Sequence, residues 1–135
     1  MNNLKKAKEL LIKNEYTCVL CREEEILFSD KRGVKPLIDF FETKRDFCGF
    51  SAADKTVGAG AAHLYVLMGI KEIWANIISE EGENILKQNN ISVFYEKRVP
   101  YIINRTNDGQ CPIEKSVYGI KNSKEAFERI KETIA

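Results

Sequence analysis

The stretch from Phe47 to Gly69 constrains the fold of this chain more than any other. It reads Phe-Cys-Gly-Phe-Ser-Ala-Ala-Asp-Lys-Thr-Val-Gly-Ala-Gly-Ala-Ala-His-Leu-Tyr-Val-Leu-Met-Gly. Val57, Ala61, Leu64 and Met68 recur on one helical stripe, and Ala59, Ala62, Tyr65 and Val66 make most of the remaining circumference apolar. A helix that is apolar all round is an inner helix, packed on a sheet. Phe47 to Ser51 reads as a short strand ahead of it, and Asp54 and Lys55 as the turn between. The first N–H groups of such a helix lack intrahelical partners, and the aligned peptide dipoles favour an anion there. Gly58 and Gly60 would let a ligand or a neighbouring backbone come close, and Lys55 adds a full positive charge. Equally, Asp54 or Thr56 could simply cap the helix.

The rest of the chain supplies the sheet. Leu4, Ala7, Leu10 and Leu11 form one face of a first helix that ends at Asn14. Tyr16 to Cys21 and Ile26 to Phe28 are rich in strand formers and are joined by the acidic connection Arg22 to Glu25, a hairpin. Val34, Leu37, Ile38 and Phe41 recur at helical spacing, with Pro36 in a first turn where its missing N–H costs nothing. After the inner helix, Gly69 has the place of a C-cap, Ile70 to Ile78 reads as a strand, and Ser79 caps a helix opening with Glu80, Glu81 and Glu83. Ile91 to Tyr95 is a further strand. Strands separated by helices are parallel, so three parallel strands are expected with the first hairpin on one side. The expected class is therefore α/β: a three-layer α/β/α sandwich on a mixed, mostly parallel five-stranded sheet. From Lys97 the pattern changes, through a polar loop at 104–110 to a short helix at Cys111-Pro112-Ile113-Glu114. A last amphipathic helix runs from Ser123, with Phe127, Ile130 and Ile134 inward.

At 135 residues the chain suits one domain, a core of about 4–95 with an extension at 96–135. Its 21 basic and 20 acidic residues leave a net charge of +1, so no global field argues for nucleic acid or a membrane surface. No apolar run approaches a membrane span, and the start of the chain has no apolar leader segment; a cytoplasmic protein is expected. The Cys18-x-x-Cys21 pair lies in a strand, where residues three apart point to opposite faces, so it reads as buried hydrophobes rather than a metal site. His63, the one histidine, reads as a satisfied core residue, with Cys48 as its nearest soft neighbour.

The order helix, strand, strand, helix, strand, helix, strand, helix, strand over about 4–95 resembles the cytidine-deaminase-like superfamily. The words Gly49-Phe-Ser-Ala-Ala-Asp-Lys-Thr-Val-Gly58, Val99-Pro-Tyr-Ile-Ile-Asn-Arg-Thr106 and Asp108-Gly-Gln-Cys-Pro-Ile-Glu114 resemble an uncharacterised bacterial branch of it, over nearly the whole chain. In active members the second helix opens with His/Cys-x-Glu and the third with Pro-Cys-x-x-Cys. Together these hold the zinc and move protons for its bound water. Here the corresponding openings are Gly33-Val34-Lys35-Pro36 and Ala53-Asp54-Lys55-Thr56-Val57. The resemblance therefore implies a deaminase-like pocket with no metal and no cofactor, in which Lys35 and Lys55 stand where a cation would be, and it excludes zinc-dependent hydrolytic deamination.

A second group of candidates lies in the extension. Pro112 at a first helical position makes Cys111 the N-cap, where N–H groups and dipole stabilise a thiolate. Glu114 reads as a capping-box partner or a ligand contact, and Asn104 and Arg105 as a polar clamp able to hold a carboxylate or phosphate. Three functions follow. A binding module would take a small anionic or nucleotide-like molecule through Lys35, Asp54, Lys55, Thr56, Gly58, Asn104, Arg105 and Glu114. A zinc-independent enzyme would use Cys111 or a desolvated Lys55 as nucleophile and Asp54 as proton acceptor. A non-catalytic subunit would keep the fold for protein interaction. Self-association is compatible with all three.

Overall fold

The computed structural model describes residues 2–31, 34–102 and 112–134. Helix α1 (Asn3–Asn14) starts where the Asn2 side chain accepts the Leu4 and Lys5 N–H groups, and stops at Glu15, which takes a left-handed conformation. Strands β1 (Cys18–Arg22) and β2 (Glu25–Ser29) form an antiparallel hairpin around Glu23 and Glu24. Then follow α2 (Lys35–Glu42), β3 (Ser51–Val57), α3 (Ala59–Met68), β4 (Glu72–Ser79), α4 (Glu80–Gln88), β5 (Ser92–Val99), α5 (Pro112–Ser116) and α6 (Ser123–Ile134).

The sheet order is β2-β1-β3-β4-β5. β3, β4 and β5 are parallel, with Ser51 beside Glu72 and Glu72 beside Ser92, while β1 meets β3 antiparallel, Leu20 opposite Ala52. The expected parallel trio flanked by the hairpin is what forms, because α3 and α4 carry the chain back between successive strands. Strand alternation sends the sheet's side chains to two cores. On one face α1, alone among the described residues, sets Ala7 and Leu11 against Val19, Cys21, Ala53 and Trp74. On the other, Leu20, Ala52, Ile73 and Ala75 meet buried residues of α2, α3, α4 and α6. The extension takes part in this larger core through Val117, Ala126 and Ile130, all fully buried. Among the described residues no helix is long and apolar enough to cross a membrane.

Two boundaries differ from the sequence expectation by more than two residues. The third strand is Ser51–Val57, so Asp54, Lys55 and Thr56 lie within it and none of them caps α3; Gly58 holds the N-cap position. Their polar side chains imitate a turn, but the ladder to β4 continues past them, with Thr56 beside Ile77 and Val57 beside Ile78. β5 likewise runs on to Val99, its charged residues 96–98 exposed along the sheet's outer strand.

Candidate functional site

The inner helix α3 starts without help from its own sequence. Gly58 has no side chain to accept the first N–H groups, and no local capping bond forms. The partner comes from α5: Glu114 Oε2 accepts from the Ala59 N–H at 2.5 Å and the Gly60 N–H at 3.3 Å. The helix N-terminus that the sequence offered to an external anion thus holds the chain's own. Burial pushes the Glu114 carboxyl above its ordinary value, and the two backbone N–H groups pull it back. Gly58 has an extended backbone that any residue could adopt; what requires glycine is space. A Cβ there would lie 2.3 Å from Glu114 Oε1, and the three nearest atoms all belong to that carboxylate.

Eleven residues from Tyr65, and on the same side of the sheet, Asp54 forms the second buried carboxyl. Tyr65 Oη donates to Asp54 Oδ2 at 2.7 Å, and the Thr56 N–H donates to Oδ1 at 3.1 Å. Because the tyrosine proton is given to Asp54, the Cys18 thiol, 3.2 Å from Tyr65 Oη, donates in turn to the phenol oxygen. Burial raises the Asp54 carboxyl to about 7, against the lowering effect of its Tyr65 and backbone donors. Burial, and next the neighbouring Asp54 charge, raise both the Cys18 thiol and the Tyr65 phenol well above their ordinary values.

The two carboxyls border one cavity of about 340 Å³ at the carboxyl end of β3. Its apolar wall is Val34, Ala61, Ile102 and Ile113, and its polar wall is Thr17, Asp54, Lys55 and Thr56, with Gly58, Gly60 and Glu114 at the helix start. The structure therefore unites Asp54, Lys55, Thr56, Gly58 and Glu114, as the sequence suggested. Lys35 is not among the lining residues: it is exposed and pairs with Asp39 one turn along α2, at 3.3 Å. Lys55 is exposed, without the burial that a desolvated nucleophilic amine needs. Asn104, Arg105 and Cys111 lie outside the described residues, in the stretch of chain between the wall residues Ile102 and Ile113.

The remaining candidates are structural. Cys18 and Cys21 point into different cores. His63 is fully buried, its Nδ1 2.9 Å from Ser123 Oγ and its Nε2 3.0 Å from the Ile120 carbonyl, so it clasps the start of α6 and does not meet the exposed Cys48. Among the described residues no group of three or more His, Cys, Asp or Glu could hold a metal ion. Sequence reading missed Tyr65 as a site residue, since it fits the apolar helix. A signal did exist: a buried phenol and a buried carboxyl both need partners, and each is the other's.

These features define an α/β protein with a mixed five-stranded sheet and a cavity where its inner helix begins. The family described as "TM1506: Domain of unknown function (DUF1893)" matches residues 6–134, and the chain belongs to that family. A solved structure that it resembles is the crystal structure of a DUF1893 family protein (TM1506) from Thermotoga maritima. The two superpose with a TM-score of 0.90 at 23% identity, covering 97% of this chain and 89% of that one, which shows the shared fold. No curated protein matches the chain.

Proposed function

We propose that this protein binds a small nucleobase- or nucleoside-like molecule in the cavity between Asp54, Lys55 and Glu114, on a fold of the cytidine-deaminase-like type. The strand order and the placing of the cavity at the starts of α2 and α3 support the deaminase-like reading. The observation that carries the ligand class is the cavity's polarity: an apolar wall suited to a flat ring, facing carboxyls that can accept from ring N–H groups. Glu114 already accepts from the Ala59 and Gly60 N–H groups, so a free anion would have to displace it, and an anionic substituent would reach the exposed Lys55 instead. Asn104 and Arg105 are assigned to the same substituent by sequence alone.

A thermal-shift comparison of nucleobases, nucleosides, nucleotides and inorganic phosphate tests this. A ligand at about a hundred times its Kd stabilises by about 2.7 kcal/mol, a shift of several degrees. Base-containing compounds are expected to give that shift and phosphate none; Lys55→Ala is expected to weaken nucleotides more than bare bases. Silence from every base-containing compound would overturn the reading.

The Asp54 carboxyl supports a second reading, a proton-transfer enzyme, because an acid at about 7 beside a cavity can both take and give a proton at neutral pH. Under this reading Asp54 is the proton acceptor and Cys111 the candidate nucleophile. Turnover of a bound compound, rising with pH through about 7 and lost in Asp54→Asn, would distinguish it from binding alone.

A further inference from the structure

The two outer strands of the sheet differ in what they offer a partner. β5 also exposes Phe94 and Tyr95, but follows them with Glu96, Lys97 and Arg98 in succession, all exposed, and such charge keeps a strand edge from pairing. β2 is Glu25-Ile26-Leu27-Phe28-Ser29, apolar through its middle, with Ile26 40% and Phe28 53% exposed. The hairpin register sets Leu27 opposite Leu20 and Ser29 opposite Cys18, and the Ser29 carbonyl accepts from the Thr17 N–H across the hairpin. Backbone groups of alternate residues point to opposite sides of a strand. Those of Glu25, Leu27 and Ser29 therefore face β1, and those of Ile26 and Phe28 face outward, where no described strand pairs with them.

We propose that β2 pairs antiparallel with β2 of a second copy of this chain, about a twofold axis at Leu27, joining two five-stranded sheets into one. A twofold axis normal to a sheet can only set residues of like orientation opposite each other. The register centred on Leu27 meets that condition. It places each outward-facing Ile26 opposite Phe28 of the second copy, and each such pair exchanges two N–H···O=C bonds. The side chains of each pair stand on one face, so four bulky apolar groups that the monomer leaves about half exposed, with Phe28 stacked on Tyr16, cover one another. Glu25 comes opposite Ser29, not another acid, and its charge is already held by Arg22 and Arg45. An unrelated strand could satisfy the hydrogen bonds, but one register of this strand with itself satisfies both edges and both apolar pairs together. The strand is only five residues long, so the contact is smaller than a standard interface and the dimer is concentration-dependent, not obligate.

Sedimentation velocity on the full chain, from about 5 µM to about 500 µM, reads the association directly. The mass is expected to rise from monomer toward dimer, and Phe28→Lys to raise the dissociation constant at least tenfold while circular dichroism shows a folded chain. A register test stands beside it. The two Leu27 positions adjoin at the axis with Cα atoms about 4.5 Å apart, within disulfide reach, whereas the two Ile26 positions are diagonal and beyond it. With oxidised glutathione as oxidant, Leu27→Cys is expected to give a dimer joined through the introduced thiols, identified by peptide mass, and Ile26→Cys none. A monomer at every concentration, a dimer indifferent to Phe28→Lys, or equal cross-linking from both positions would overturn the proposal. The first of these would leave the β2 edge to a strand of a different protein.

Discussion

Two helix starts in this protein are closed in opposite ways. α4 begins at Ser79, whose hydroxyl oxygen accepts from the Gly82 N–H at 3.0 Å, three residues on, with Glu80, Glu81 and Glu83 in its first turn. α3 begins at a glycine, and its cap arrives from Glu114, far along the chain. The first is a local device that would work in a peptide. The second exists only when the extension is folded onto the core. The inner helix on which the cavity depends is thus completed by the segment that also forms the cavity's far wall.

The comparison can be broken most severely at Glu114. Glu114→Ala leaves two buried N–H groups without a partner and is expected to cost about 3 kcal/mol in denaturant unfolding. Gly58→Ala is expected to cost about 2 kcal/mol by pushing the carboxylate out of place. If the clash with Glu114 is the whole reason, the same change made in Glu114→Ala costs less than about 0.5 kcal/mol, and a double-mutant cycle reads the difference. Additive costs would show that glycine is needed there for something else.

Asp54 sharpens the contrast, since one of its donors is local and the other comes from α3. Its folded-state carboxyl, at about 7, lies above the ordinary value of 3.8, so between those values the folded chain holds a proton that the unfolded chain releases. The stabilisation is complete below 3.8 and is lost as pH rises through about 7, with a slope on the order of 1 kcal/mol per pH unit. Denaturation at a series of pH values is expected to show this decline in the parent chain and its loss in Asp54→Asn. Ser79→Ala gives the smallest effect, about 1 kcal/mol for the α4 cap.

What the sequence made legible follows the same division. The Ser79 cap, the left-handed Gly69 that ends α3, the hairpin and the parallel trio all rest on signals within a few residues or on strand-helix alternation. The position of β3 was not legible, because Asp54 and Lys55 carry turn chemistry. They are tolerated in a strand only since Tyr65 bonds the first and solvent reaches the second. Glu114 was legible as a cap, but of the wrong helix: local spacing pointed to α5, and the N–H groups of α3, brought near by packing, took it instead. Lys35 stands apart from the cavity for a related reason, as Asp39 one turn away is its nearer partner.

The cap on α3 also sets an order of events during synthesis. At roughly 5–20 residues per second, Glu114 is added about 3–11 s after Ala59. Ala126 and Ile130, which close the core over the same helix, follow later still. All five strands precede them in the chain, so the sheet can leave the ribosome while the N-terminus of its central helix is still hydrogen-bonded to water. The cavity is then among the last parts of the molecule to acquire its native walls.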